Sequence, residues 1–170
     1  MKRIALTLVA TALLIAPTAQ AKDLTDRWGA GFTQGLATSE PGHTSLAVRY
    51  WLDSQLAIEG QSGFSYTKRD QGSDSRSFSL GGRFLIKVVE EENLHAYGGA
   101  GISLLSEKQG GNSDSGVGAE VFGGVEFFFQ GLPHLGFSTE LGLVLEEMGD
   151  RTAFRTDGGA FAKLGIRYYF

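Results

Sequence analysis

The sequence predicts an all-β fold, an eight-stranded antiparallel up-and-down transmembrane β-barrel. Three observations lead there. Beyond residue 21 the chain divides into eight stretches in which apolar residues alternate with polar or small ones, the pattern of strands with two unlike faces. The connections alternate between long polar loops and turns of two to five residues. The charged residues inside the strands gather on the face opposite the apolar one.

The opening residues are set aside first. Met1-Lys2-Arg3, the apolar run Ile4 to Ala16 and the small-residue site Ala19-Gln20-Ala21 are the three parts of a secretory signal peptide. The run has 13 residues, short of the roughly 20 that a spanning helix needs. Residues 1–21 are therefore expected to be removed, leaving residues 22–170 as one outer-membrane barrel domain. Loss of Lys2 and Arg3 takes the formal charge from −4 to −6, an acidic balance that argues against a nucleic-acid partner. The chain has no cysteine, so its stability must come from sheet closure or a core. Its 25 glycines follow no G-x-y repeat and cluster inside the alternating segments, which points to curved β-structure with crowded positions.

After a polar lead from Lys22 to Arg27, the first strand is predicted from Trp28 to Gln34, with Trp28, Ala30 and Phe32 on one face. Gly35 to His43 is a loop around Pro41-Gly42. The second strand, Thr44 to Leu52, sets Leu46, Val48, Tyr50 and Leu52 against Ser45, Ala47, Arg49 and Trp51. A turn at Asp53-Ser54 leads to the third, Gln55 to Tyr66, with Leu56, Ile58, Phe64 and Tyr66 opposing Ala57, Glu59, Gln61 and Ser65. Thr67 to Ser75 is polar loop. The fourth strand, Arg76 to Val89, has Phe78, Leu80, Phe84, Ile86 and Val88 opposite Ser77, Ser79, Arg83 and Lys87. Glu90 to Asn93 form a turn or the first turn of a short helix, where acids are favoured.

Strand five, Leu94 to Leu104, alternates Leu94, Ala96, Ala100 and Ile102 against His95, Tyr97 and Ser103. Ser106 to Gly116 is a second long polar loop. Strand six, Val117 to Phe129, groups Val117, Ala119, Val121, Val125, Phe127 and Phe129, with Glu120, Phe122, Glu126 and Phe128 opposite. A turn around Pro133 precedes strand seven, Leu135 to Leu145, whose leucines oppose Gly136, Ser138, Glu140, Gly142 and Val144. Glu146 to Asp157 is the third long loop, and Gly158 to Phe170 is the closing strand. Ala160, Ala162, Leu164, Ile166, Tyr168 and Phe170 share one parity there, and Phe161, Lys163, Gly165, Arg167 and Tyr169 the other.

Long loops at one end and short turns at the other are the signature of a transmembrane barrel. An even strand count returns both termini to the short-turn, periplasmic end. Alternation alone does not say which face is outside; a lipocalin-like binder would use the same letters with the apolar face inward. The polar face carries Arg49, Arg83, Lys87, Lys163 and Arg167 with Glu59, Glu120, Glu126 and Glu140. Facing lipid, each base would cost about 2–4 kcal/mol near the midplane, or roughly 10–20 kcal/mol together. In a membrane these nine residues must therefore face the interior, where near balance lets them pair as a charge network. Outward aromatics form two groups, Trp28, Tyr50, Phe127, Phe129, Phe137, Tyr168 and Phe170 at the short-turn end and Phe64, Tyr66 and Phe78 at the other, as two membrane interfaces require.

The Gly-rich strand Gly136-Phe137-Ser138-Thr139-Glu140-Leu141-Gly142 and the ending Gly165-Ile166-Arg167-Tyr168-Tyr169-Phe170 complete a resemblance that covers nearly the whole of residues 22–170. The chain resembles the small eight-stranded outer-membrane β-barrel superfamily that includes the OmpA transmembrane domain, OmpX and opacity-type proteins. The resemblance implies an integral protein of the Gram-negative outer membrane, monomeric by default and in contact with outer-membrane lipids and lipopolysaccharide. It also implies that Tyr168 and Phe170 form the signal read by the barrel-assembly machinery. It implies no activity, since fold does not determine function.

Some relatives are lipid A deacylases, which carry an outward His and Ser two positions apart on one strand. Only His43 and Ser45 have that spacing, and they fall at a loop-to-strand junction on the interior face, without the rest of the pattern. His95 reads as a lumen side chain and His134 as a turn residue. There is no G-x-S-x-G or H-E-x-x-H motif. Asp70, Asp74, Asp114, Glu146, Glu147 and Asp150 lack EF-hand spacing and read as solvated loop acids. No enzyme, cofactor or metal site is expected. The expected role is structural or surface-presenting, around a bore filled by side chains. A small-solute or hydrophobic-compound channel is the first alternative, opposed by Trp51, Phe122, Phe128, Phe161 and Tyr169 on the inner face. The second is a periplasmic lipocalin-like binder of an apolar ligand.

Overall fold

A computed structural model describes residues 23–35, 44–68, 74–156 and 162–170. Its strands are β1 (Trp28–Gly35), β2 (Thr44–Trp51), β3 (Leu56–Thr67), β4 (Ser75–Glu91), β5 (Leu94–Gln109), β6 (Asn112–Phe128), β7 (Leu135–Met148), β8 (Arg151–Thr156) and β9 (Lys163–Tyr169). Each pairs antiparallel with its sequence neighbour from β1 to β7. Both β8 and β9 pair with β7, and β9 pairs on its other edge with β1, which closes the ring. β8 and β9 are thus two segments of one closing wall strand, and the fold is a closed eight-stranded antiparallel barrel with no helix among the described residues. Closure leaves the seam strands without free edges over their paired length. The Phe170 amide donates to the Trp28 carbonyl at 2.9 Å and the Tyr169 amide to that of His134 at 2.7 Å, so the end of the wall is pinned on both sides.

The apolar side chains point out. Phe32, Leu46, Val48, Ile58, Phe84, Ile102, Val121, Leu141, Leu143 and Ile166 are all exposed, whereas Arg49, Glu59, Glu126, Glu140 and Arg167 are buried. This is the phase that hydrocarbon solvent demands and the reverse of a lipocalin-like interior. Inner glycines make room for the large side chains. A Cβ at Gly29 would stand 2.6 Å from the Tyr169 ring, and one at Gly101 2.9 Å from both Arg83 and Glu120.

Several boundaries differ from the sequence expectation. Most of the expected loop Ser106 to Gly116 is strand: β5 and β6 continue through the pairs Ser106↔Ser115, Glu107↔Asp114 and Gln109↔Asn112 to a turn at Gly110-Gly111, where Gly110 has φ 61°. Likewise β7 runs on to Met148, and β8 occupies much of the expected loop Glu146 to Asp157 after a turn at Gly149-Asp150. Past the apolar band both strand faces meet water, so the two-faced alternation ends while the backbone ladder continues. Glu90 and Glu91 extend β4 rather than opening a helix. Ala162, which shares the outward parity in the sequence, is buried immediately before β9. The expected signal peptide, His43 and Phe161 lie outside the described residues, as does most of the first loop.

Candidate functional site

Three neighbouring strands set the centre of the bore. Register places Arg49 of β2 beside Glu59 of β3, and Glu59 beside Arg83 of β4. The slant of the strands brings Glu126, Glu140 and Arg167 from β6, β7 and β9 to the same level. Arg49 Nε donates to Glu59 Oε2 at 2.7 Å, and its other nitrogens reach Glu126 at 3.2 Å and Glu140 at 3.4 Å. Arg83 lies 2.9 Å from Glu59, 2.8 Å from Glu140 and 3.0 Å from Glu120. Arg167 lies 3.0 Å from Glu59 and 3.1 Å from Glu126. Three guanidiniums and three carboxylates, all essentially without solvent exposure, form one network across the lumen. Such a network holds only when its members are mutually paired, because a buried unpaired charge costs several kcal/mol.

Neutral side chains complete it. The Tyr97 hydroxyl donates to Glu140 at 2.6 Å and the Tyr169 hydroxyl to Glu126 at 2.8 Å. Gln61 donates to Glu59 at 2.7 Å, and Arg167 to the Ser138 hydroxyl at 3.1 Å. The Arg83 guanidinium carbon lies 3.4 Å from the centre of the Phe122 ring, so charge and aromatic bulk block the same level. Lys163 is more loosely joined, 3.9 Å from Glu120, and both are partly exposed.

Lys87 stands apart from this centre. It is buried, but donates to Glu90 at 2.8 Å and lies 5.0 Å over the Trp51 ring. Strict alternation would give Glu90 the parity of Ile86 and Val88, and the sequence reads Glu90 to Asn93 as a turn or the start of a short helix. A register shift between Lys87 and Val89 reverses that parity, leaving Val88 and Val89 both exposed and placing Glu90 opposite His95. A bulge leaves no signature in apolar alternation until it has shifted it.

The short-turn end is closed by a residue outside any strand. Leu24 is fully buried in a cluster with Trp51, Ala57, Leu85, Tyr97, Phe122, Phe128 and Tyr169. The lead reaches it through Asp26, whose amide donates to the Trp51 carbonyl at 3.0 Å, while the Trp51 amide donates to that of Arg27 at 3.2 Å. A single leucine in a polar stretch carries no periodicity, so no sequence signal marks it. His95 packs edge-on against Phe128 and Trp51 in the same region.

Tyr168 and Phe170 face outward and are half or more exposed. Of the His43–Ser45 pair, Ser45 is on the inner face of β2. Among the described residues no three His, Cys, Asp or Glu side chains group as metal ligands.

No protein-family model and no curated protein sequence matches the chain. Solved structures are similar in fold. The N-terminal β-barrel domain of Pseudomonas aeruginosa OprF matches over 86% of this chain and 98% of its own, with a TM-score of 0.54 at 14% identity. The chain has the fold of the small eight-stranded outer-membrane barrels. A major outer membrane protein from Thermus thermophilus matches over 85% of this chain and 98% of its own, TM-score 0.52, 14% identity. Neisserial surface protein A matches over 84% and 93%, TM-score 0.50, 14% identity. At this identity the shared property is the barrel itself, because many sequences satisfy one pattern of outward-facing apolar and inward-facing polar positions.

Proposed function

We propose that the protein is a monomeric, integral outer-membrane barrel that is sealed, and that its role is structural or to present its long hairpins at the cell surface. The observation that carries this reading is the bore itself, crossed at one level by the Arg49–Glu59–Arg83–Glu140–Arg167–Glu126 network and closed below by Leu24 and Trp51. A channel for solutes would need a continuous lumen, and an enzyme would need an exposed nucleophile or acid–base pair; the buried carboxylates here are committed to arginines. Exported and cleaved after Ala21, the chain would enter the membrane with both termini periplasmic, with Tyr168 and Phe170 read by the barrel-assembly machinery.

Expression of the full chain in a Gram-negative host tests this. The outer-membrane fraction should hold a band that migrates faster unheated than boiled, diminished when Phe170 is deleted. The purified folded band should give no steady conductance in planar bilayers. A soluble periplasmic protein with no heat-dependent shift would overturn the location, and stable unitary steps would overturn the sealed bore.

A further inference from the structure

We propose that the outward face of β4–β6, just above the upper aromatics, binds the phosphorylated headgroup of an outer-leaflet glycolipid of the lipopolysaccharide class. The inference rests on the outer-membrane reading above. Register sets Tyr66, Arg76, Lys108 and Ser113 in one row across β3 to β6. The next outward row toward the membrane is Phe64, Phe78, Ser106 and Ser115, and below it stand Leu80, Leu104 and Val117. The cations therefore sit one step beyond the hydrocarbon boundary, at the level where lipid phosphates lie.

Arg76 and Lys108 are directly opposed on adjacent antiparallel strands. Like charges so placed repel, and the arrangement is relieved when an anion lies between them. The Arg76 guanidinium is steadied 5.2 Å from the centre of the Tyr66 ring, leaving its edge for oxygen acceptors. Ser106, Ser113 and Ser115 are exposed beside the two cations and supply hydroxyl donors. Arginine and lysine with hydroxyls form the donor set that a sugar phosphate takes.

The acids around the row leave its centre open. Asp74, two residues before Arg76, turns its carboxylate toward β3, where it accepts from the Tyr66 hydroxyl at 3.1 Å. Glu147 is across β6, beside Val117. Glu107 and Asp114 alternate onto the opposite face and pair with each other in register.

The test uses the folded chain in zwitterionic detergent and reads the temperature at which the fast-migrating band converts to the slow one. Added lipopolysaccharide should raise that temperature for the wild type, the rise should fall by at least half in R76A/K108A, and R76K/K108R should keep it. Dephosphorylated lipopolysaccharide and inorganic phosphate alone should give none of the rise. An undiminished rise in R76A/K108A, or an equal effect of the dephosphorylated glycolipid, overturns the proposal. An equal effect of inorganic phosphate overturns the lipid assignment in favour of a free-anion site. Absence of any heat-dependent band in the wild type is the separate failure of the barrel reading and removes the proposal with it.

Discussion

Arg49 and Glu59 face each other in register on β2 and β3, joined Nε to Oε2 at 2.7 Å, with neither side chain exposed. The same carboxylate also meets Arg83 and Arg167, so Glu59 serves three guanidiniums. A fourth donor, the Gln61 side-chain amide, is two residues along its own strand and shares Glu59 Oε1 with Arg83. Pairs of this kind gain little against a well-packed apolar interior, but breaking one strands charge in a dry place.

Glu59→Gln keeps the volume and removes the charge, leaving the arginines under-compensated. The expected cost is about 3–5 kcal/mol, read as a lower urea midpoint by tryptophan fluorescence, Trp51 being a fully buried reporter. Glu91→Gln, at an exposed strand end, should stay within about 0.5 kcal/mol. Adding Arg49→Met to Glu59→Gln removes one stranded charge, so the double variant should lose less than the sum of the singles. Additive losses would mean that the two groups do not share a network.

Gly31 should be the least replaceable residue of the closing seam. A Cβ there would collide with the backbone of Ile166 and Arg167 across the β1–β9 pair, where no rotamer can give way. Gly31→Ala is expected to abolish or strongly reduce the heat-modifiable band. Gly60 and Gly82, register partners on the outward face, have open space where a Cβ would go. Gly60→Ala should therefore fold normally and gain about 0.5–1 kcal/mol from the stiffer backbone. Equal effects at the two sites would show that crowding at the seam does not govern closure.

The contrast between these glycines shows what the sequence could and could not reveal. Parity alone sorts Phe32, Val48, Ile58 and Leu141 from Thr33, Arg49, Glu59 and Glu140, because the outer surface of the wall and the packed lumen are such different surroundings. Strand order follows from short turns such as Asp53-Ser54. Pairings within the bore do not follow, since Arg49 meets Glu126 and Glu140 through strand slant and curvature that no local pattern records. Glu90 is hidden by a one-residue bulge, the β5–β6 hairpin by having water on both faces, and Leu24 by having no neighbours of its kind.

The turn between β2 and β3 should be pH-sensitive. The Asp53 carboxylate accepts from the Gln55 and Leu56 amides, both at 2.7 Å, and these hydrogen bonds hold its pKa below the ordinary value. A depressed folded pKa stabilises fully above the unfolded value, near 3.9, and the contribution is lost as pH falls through the lower folded one. Asp53→Asn should therefore be less stable than wild type at pH 7, with the gap narrowing below about pH 4. A gap of constant size across that range would assign the turn's stability to side-chain shape rather than charge.

Leu24 separates stability from sealing. It fills the short-turn end against Trp51, Phe128 and Tyr169, so truncation to alanine should leave a cavity and cost about 2–5 kcal/mol, measured by urea unfolding of the folded band. The ring of strands does not depend on it, because β1 closes on β9 above it, and the heat-modifiable shift should persist. The arginine–glutamate network lies further up the bore with its own partners. Leu24→Ala should therefore remain non-conducting in planar bilayers despite its lower stability. Steady current through that variant would place the seal at the leucine rather than at the charges, while a variant that no longer folds would make the lead segment part of the barrel's closure itself.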